Sequence, residues 1–399
     1  MRAKVGIFLL SLALALSVSP ANATLSAAAI PTVFDALLKS ATLSNPAMVL
    51  IDGATGEVVY EKNPNSARKP ASVIKILAGV ATLKYLDPQS VFTTSISLGV
   101  EKKTLVIAGS YDPWISLDHK VARKMNRASL PNLGFKSISA IKKVNKNSLK
   151  KITVLYSGLY PQDVANLKRF WAKRGFRPVM KAIKASQVAP SSGDLVVRET
   201  SPPISEILDF TIKWSDNYLA DRLARLSSRA AGNAFSFAGA FDTYKEILTD
   251  LEIDSSKLSV IDGSGLSKEN RMSAQMMGEL LYKIRKDARY NLLYEFMPLG
   301  GVSGTLRSRF LTTAPQAIGL VRAKTGSLNG TVTLAGYVES VDREYIFVIL
   351  ADKIPRGTRA NLKAREAIDR ILGKIAAPII QVETPEVIPV ETPEAIPAP

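Results

Sequence analysis

The sequence contains no cysteine, which excludes thiol nucleophiles, thiolate metal sites and disulfides together. Histidine occurs once, at His119, so a multi-histidine metal centre is excluded as well. His119 lies in a lysine-rich, loop-like segment with no G-x-S-x-G elbow nearby, and reads as a surface residue. Any serine chemistry in this chain must therefore hand its proton to something other than imidazole. Long apolar runs are also scarce. The one from Val5 to Val18 follows Arg2 and Lys4 and precedes Pro20 and the small-residue stretch Ala21, Asn22, Ala23. It falls short of the ~18 to 20 apolar residues that spanning requires, and reads as a secretory signal peptide cut after Ala23. No later segment is long and apolar enough to span, so the mature protein is expected outside the cytoplasm, in a periplasm or cell-wall space.

Acidic residues are missing from one segment in particular. The formal net charge is +17, and between 101 and 186 there are 19 Lys and Arg against 4 Asp and Glu, a surplus of 15. Everything else is nearly balanced. Nucleic acid is not the expected partner, because export separates the chain from the chromosome and the segment's aromatics form no repeating stacking platform. Two readings remain open. The segment attracts anionic cell-wall polymers or lipid head groups, or it is simply a solvated basic face.

Along the chain, Ile30 to Lys39 reads as a short helix opened by Pro31, and "AMVLID" and "EVVYE", joined across Gly53 to Gly56, as a β-hairpin. An apolar helix begins near Ser72. Residues 87–200 mix short strands ("TLVIAG", "KITVLYSG") with helical runs ("DVANLKRFWAKR") and read as an inserted domain. One helical stretch, "SEILDFTIKWSDNYLADRLARLSSRAAG", follows, then another from Ser273 to Ala288. The strand "GLVRAKTGSL" leads into "TVTLAGYVES" and "REYIFVILAD", and a last helix runs from Thr358 to Ile375. The repeated "VETPEVIP" and "VETPEAIP" read as a Pro/Glu-rich disordered tail. The expected division is a signal peptide at 1–23, a main domain in two parts at 24–86 and 201–376, the basic insert at 87–200 and the tail at 377–399. Strands at both ends of the chain with helices between predict an α+β fold: one antiparallel sheet flanked by helices, carrying a mixed α/β insert.

The stretch "KPASVIKILAGVATL" places one lysine, Lys75, in an apolar helix three residues after Ser72. Positions i and i+3 share a helix face, so the two side chains can meet. Burial disfavours the charged amine, which makes Lys75 a potential base beside an activatable hydroxyl. Ser72 also falls in the first turn, where free N–H groups favour a developing oxyanion. The S-x-x-K pattern recurs at Ser66, Ser139 and Ser148, but none of these lies in an apolar helix, and a snorkelling core lysine fits the pattern equally well. Downstream stand Ser215, Asp216, Asn217 and then Lys324, Thr325, Gly326, the latter triplet followed by Ser327. Taken singly, S-D-N can be a helix cap and "DGSGLS" a glycine turn shaping an edge.

The order S-x-x-K, S-D-N, K-T-G resembles penicillin-binding proteins and serine β-lactamases. With "DGSGLSKEN", "GTLRSRF" and the long insert, the chain is similar to class C low-molecular-mass penicillin-binding proteins, the D-alanyl-D-alanine carboxypeptidase/endopeptidase family. The resemblance implies the transpeptidase fold of that family and no metal or organic cofactor. It implies that Ser72 attacks the carbonyl between two terminal D-alanines of a peptidoglycan stem peptide while Lys75 takes its proton. The N–H groups of Ser72 and Ser327 would hold the oxyanion, Ser215 would relay a proton to the departing amine, and Asn217 would hold Lys75 and the substrate amide. Lys324 would supply positive charge, Thr325 and Ser327 would offer hydroxyls to the terminal carboxylate, and Gly326 would clear the approach of a substrate lying along the strand. β-Lactam antibiotics would trap Ser72. In "GSYDPW", Asp112 would be a substrate contact from the insert. A class A β-lactamase is the alternative enzyme, but no E-x-x-L-N follows S-D-N and the insert is foreign to it. A non-catalytic wall-binding module is the alternative outside enzymology, and the intact Ser72 and Lys75 argue against it.

Overall fold

In the computed structural model, which describes residues 25–39, 41–341 and 343–377, the chain opens with α1 (Ile30–Leu38) and the hairpin β1 (Ala47–Asp52) and β2 (Val58–Lys62). A 3-10 turn, Ala71–Ile74, runs into α2 (Lys75–Tyr85). There follow β3 (Thr93–Gly99), β4 (Thr104–Gly109), α3 (His119–Lys124), α4 (Leu130–Val144), β5 (Thr153–Ser157), α5 (Pro161–Ala172), β6 (Val179–Ala182), α6 (Val188–Ser191) and β7 (Ser192–Thr200). The rest comprises α7 (Ile204–Trp214), α8 (Asn217–Ala230), α9 (Phe237–Asp250), α10 (Ala274–Arg285), α11 (Asn291–Phe296), β8 (Val321–Leu328), β9 (Thr331–Ser340), β10 (Arg343–Ala351) and α12 (Thr358–Gly373). The expected signal peptide and all but the first residue of the expected tail lie outside the described residues. Among the described residues, no helix is long and apolar enough to cross a membrane.

Two sheets organise the fold. The first has the order β2-β1-β10-β9-β8 and is antiparallel throughout, so the N-terminal hairpin lies beside the C-terminal strands. Alternation along its strands feeds two cores. Ala47, Val49 and Ile51 of β1 join Ile346, Val348 and Leu350 of β10 against α2, α8, α9 and α10, while Met48 and Leu50 join Phe347 and Ile349 against α1 and α12. The sheet is therefore covered on both faces. Its edge strand β8 abuts the turn at Ala71–Ile74.

The second sheet, β6-β5-β4-β3-β7, is mixed: β3 pairs antiparallel with β4 and β7, whereas β4, β5 and β6 run parallel. It has its own core around Trp171, whose indole N–H donates to the Gly134 carbonyl at 3.1 Å and the Ser137 hydroxyl at 3.0 Å. The unit is tied to α8 by a buried pair: Arg222 meets Asp163 of α5 at 2.9 Å, both nearly inaccessible, and donates to the carbonyls of Asp112 and Pro113. Two features differ from the sequence expectation. The stretch read as one helix around "KWSDN" is broken into α7 and α8, and α4 and α9 are helices that the periodic reading passed over. In α4, Pro131 and Gly134 dilute the helical signal, yet Pro fits the first turn and Gly134 admits the Phe170 ring, 2.4 Å from where a Cβ would stand.

Candidate active site

Ser72 sits on a strained turn. The preceding Ala71 has φ of +46°, a left-handed conformation unfavourable to any residue with a Cβ. It is held from two sides. Thr333 of β9 donates to the Pro70 carbonyl at 2.8 Å, and Gly265 packs so closely that a Cβ there would lie 1.9 Å from the Ala71 carbonyl oxygen. The turn thus lifts the Ser72 hydroxyl to a cleft wall while the next residues plunge into the core.

One turn on, Lys75 is wholly buried. Its Nζ lies 2.9 Å from Ser72 Oγ and 2.7 Å from Asn217 Oδ1, and donates also to the Ser264 carbonyl. Burial pushes its pKa down to about 8, against the opposing pull of Asp221, Asp262 and Asp216. At pH 7 roughly a tenth of the amine is then neutral. A neutral amine carries two hydrogens and one lone pair. The Ser264 carbonyl and Asn217 Oδ1 can only accept, so they take both hydrogens and leave the lone pair facing the Ser72 hydroxyl. That is the arrangement a general base needs.

The helix break supplies the next two residues. Ser215 is left-handed, with φ 60° and ψ 40°, and ends α7. Asp216 caps α8, its carboxylate accepting from the Leu219 N–H at 2.9 Å, and Asn217 is the helix's first residue. The cap and the site coexist: the aspartate satisfies the helix, and its two neighbours face the lysines. Lys324 of β8 donates to Ser215 Oγ at 2.8 Å and to the Thr325 carbonyl at 3.0 Å.

Lys324 corrects one expectation. Fully buried, it has no carboxylate against it, and burial together with Lys75 drives its pKa well below the ordinary lysine value. Its charge in the free protein is thus disfavoured by its surroundings, while its hydrogen bonds to Ser215 and the Thr325 carbonyl hold it in place. Gly326 requires a second revision. A Cβ there would sit 2.1 Å from Thr333 Oγ1 and 2.8 Å from the Pro70 carbonyl oxygen, so its bareness lets the turn before Ser72 pack on the sheet. A third concerns Asp112, which is 1% exposed and stands apart from the cleft. Its carboxylate accepts from Ser201 Oγ and from the Trp114 N–H, and burial pushes it up to about 6. It braces the insert and is not placed to touch substrate.

Ser72, Ser215, Asn217, Thr325, Gly326 and Ser327 line one cleft of about 490 Å³, with Lys75 and Lys324 buried just beneath. Several lining groups were not anticipated. Thr305 accepts from the Thr325 hydroxyl at 2.8 Å, and Arg365 of α12 donates to Ser327 Oγ at 3.1 Å. Arg307 adds a further cation at the rim. Thr305 and Arg307 belong to the "GTLRSRF" string, whereas Arg365 carried no local signal.

The glycine-rich loop after residue 261 is more than an edge. One carboxylate, Asp262, accepts from the N–H groups of Ser264 (3.0 Å), Gly265 (2.6 Å) and Ser267 (2.6 Å) and from the Ser264 hydroxyl (2.9 Å). Burial opposes ionisation, but these donors hold its pKa below the usual carboxylate value. The ionised Asp262 thereby fixes the loop whose Ser264 carbonyl meets Lys75. Among the described residues no cluster of three or more His, Asp or Glu could hold a metal ion.

Comparison with known proteins gives concordant results. The model of the Peptidase_S13 family, D-Ala-D-Ala carboxypeptidase 3 (S13), matches residues 32–166 and 144–375. Carboxypeptidase DacB of Mycolicibacterium smegmatis is 28% identical over 382 residues, covering 84% of this chain and 83% of that protein. Carboxypeptidase Rv3627c of Mycobacterium tuberculosis is 25% identical over 403 residues, covering 90% and 86% respectively. The crystal structure of penicillin binding protein 4 from Haemophilus influenzae superposes with a TM-score of 0.62 at 19% identity, over 81% of this chain and 95% of that one, which places the fold.

Proposed function

Because the chain belongs to the D-Ala-D-Ala carboxypeptidase 3 (S13) family it is a serine-type D-Ala-D-Ala carboxypeptidase, and we propose that Ser72 is its nucleophile and Lys75 its base. The observation that carries this assignment is the Lys75 amine, buried yet 2.9 Å from the Ser72 hydroxyl and stripped of any free hydrogen by its other two partners.

Ser72 Oγ attacks the carbonyl carbon between the two terminal D-alanines of a peptidoglycan stem peptide, and its proton passes to Lys75 Nζ. The tetrahedral oxyanion is received by the N–H groups of Ser72 and Ser327, donors of a kind that typically contribute a few kcal/mol. Collapse expels the terminal D-alanine, whose nitrogen takes a proton through the Ser215 hydroxyl, and leaves an ester on Ser72. Water then adds to the ester carbonyl and releases the shortened peptide. β-Lactams enter the same path and stop at the ester.

The buried pair of lysines gives substrate binding a further consequence. A terminal carboxylate settling against Thr325, Ser327 and Arg365 brings negative charge over Lys324 and favours its protonation. A cation there disfavours a second one on Lys75, so the bound substrate itself sharpens the base. Arg365 joins Lys324 in placing the carboxylate, its guanidinium being charged before substrate arrives whereas the buried amine gains its proton as the carboxylate settles.

The enzyme acts outside the cytoplasm, the N-terminal segment serving as its export signal, and the insert's positive surface favours retention at the anionic wall. The test is release of free D-alanine from a soluble pentapeptide ending in D-Ala-D-Ala by the wild type and by Ser72→Ala. Turnover by the wild type alone supports the assignment; equal turnover by both removes it.

A further inference from the structure

The insert carries its charge in an unusual state. Among the described residues, none of the nineteen Lys and Arg between 101 and 186 forms a salt bridge, and the one carboxylate of that stretch in an ion pair, Asp163, is turned inward to Arg222. Elsewhere on the described chain Lys and Arg repeatedly meet carboxylates. A surface of one sign without internal neutralisation pays in self-repulsion that an anionic partner relieves.

The charge converges on a groove. Between the start of α3, the start of α4 and the end of α5 lies a cavity of about 600 Å³, separate from the catalytic cleft. Lys120, Arg169, Lys173 and Arg174 contribute cations to it, and all four are exposed. Its single carboxylate, Asp118, is already engaged as the cap of α3, accepting from the N–H groups of Lys120 and Val121. Arg174 is the organised element. Its guanidinium stacks 3.6 Å from the Phe170 ring centroid and 4.6 Å from that of Phe135, and one N–H donates to the Phe170 carbonyl. Held over the Phe170 ring and tethered to the Phe170 carbonyl, it is partly pre-organised, so less rotamer freedom is lost when an anion docks. Phe135, 51% exposed, leaves an apolar wall beside those donors.

We propose that this groove binds a linear wall polymer in which phosphodiester groups alternate with polyol or sugar units. The cations take the phosphates, Arg174 in fork geometry, and the two phenylalanines pack the intervening carbon skeleton. A purely carboxylate polymer would leave its aromatic wall without a matching segment, and binding to anionic vesicles is the competing outcome that the test below distinguishes. The proposal goes beyond the peptidase reading, which it uses only in placing the protein at the cell wall.

The full-length protein, titrated with a fluorescently labelled glycerol-phosphate oligomer at 50 mM and 200 mM salt, should bind at low salt. Three phosphate contacts predict a fall in affinity of roughly ten- to twentyfold across that range, by the counterion-release behaviour of single-stranded polyphosphates. The triple variant Arg169→Gln, Lys173→Gln, Arg174→Gln should bind at least tenfold more weakly while releasing D-alanine from a soluble pentapeptide at the wild-type rate, which shows that it is folded. The variant Phe135→Ser should bind several-fold more weakly at unchanged charge. No binding at 50 mM salt, equal binding by the triple variant, or equal affinity for poly-glutamate or anionic vesicles would each overturn the proposal. D-alanine release, measured on the same samples, reports separately on the peptidase assignment.

Discussion

The Ser264 carbonyl accepts a hydrogen bond from Lys75 Nζ across 189 residues of sequence. It directs the lysine's lone pair because it removes one of the two hydrogens that would otherwise compete for Ser72. Since the Asp262 carboxylate gathers the N–H groups of Ser264, Gly265 and Ser267 on which that loop turns, Asp262 influences the base without touching Ser72. Two separable effects follow for Asp262→Asn. The maximal acylation rate should fall roughly tenfold or more as the loop loosens, since each lost hydrogen bond to a charged group is worth ~1.5 to 3 kcal/mol. The midpoint of the pH profile should move downward, because a negative charge that favoured the Lys75 cation has gone. Stopped-flow acylation by a chromogenic β-lactam across pH reads both.

For the wild type, the depressed pKa of Lys75 fixes the direction of pH dependence. The neutral amine is the active form, so kcat/KM should rise with pH and level off above about 8. The folded protein also binds fewer protons at this site than the unfolded chain, whose lysine titrates near ~10.4. The contribution of Lys75 to stability therefore increases as pH climbs from about 8 towards that value. An acylation rate flat from pH 6 to 10 would contradict this.

Arg365→Gln isolates carboxylate recognition. Loss of one charge-assisted contact, ~1.5 to 3 kcal/mol, should lower kcat/KM for a D-Ala-D-Ala peptide about ten- to a hundredfold. The effect should appear mainly in KM, and a peptide with an amidated C-terminus should be nearly indifferent to the substitution.

Gly265→Ala tests how the nucleophile turn is held. The residue has φ of +83°, and the new Cβ would stand 1.9 Å from the Ala71 carbonyl oxygen. The left-handed conformation alone costs an alanine ~1 to 2 kcal/mol, and the clash must displace either the loop or the turn. Chemical denaturation should show a loss of at least that size, together with slower acylation.

The insert's attachment gives a stability prediction. Asp163→Ala leaves Arg222 buried without its partner, which typically costs ~3 to 5 kcal/mol. Because Arg222 and Asn217 share α8, acylation should slow in the same variant.

Much of the site was legible because its chemistry is written in side chains at helical or strand spacing. Lys75 announced itself as a cation in an apolar helix, and Ser72 by standing one turn before it. The antiparallel sheet was legible from the alternation of β9 and β10. What escaped has physical reasons. The Ser264 contact is made by a backbone atom, which leaves no residue-type signal. Arg365 sits on an amphipathic helix whose polar face looks like any other, and only the docking of α12 beside β8 turns it to the cleft. Lys324 was given a charge by the family resemblance alone, and its complete burial, which disfavours ionisation, could not be read from the motif. Asp112 was read as a contact from its motif, and the tertiary fold spends it on Ser201 and Trp114 instead.

The central claim is that Ser72 becomes acylated because Lys75 is its base. Mass analysis of the protein after incubation with a penicillin tests it directly, with peptide mapping of the adduct in the wild type, Ser72→Ala and Lys75→Met. The account predicts one penicilloyl group on the peptide carrying Ser72, none in Ser72→Ala, and acylation slowed by orders of magnitude in Lys75→Met. An adduct that persists in Ser72→Ala, or that forms at an unchanged rate in Lys75→Met, would contradict it.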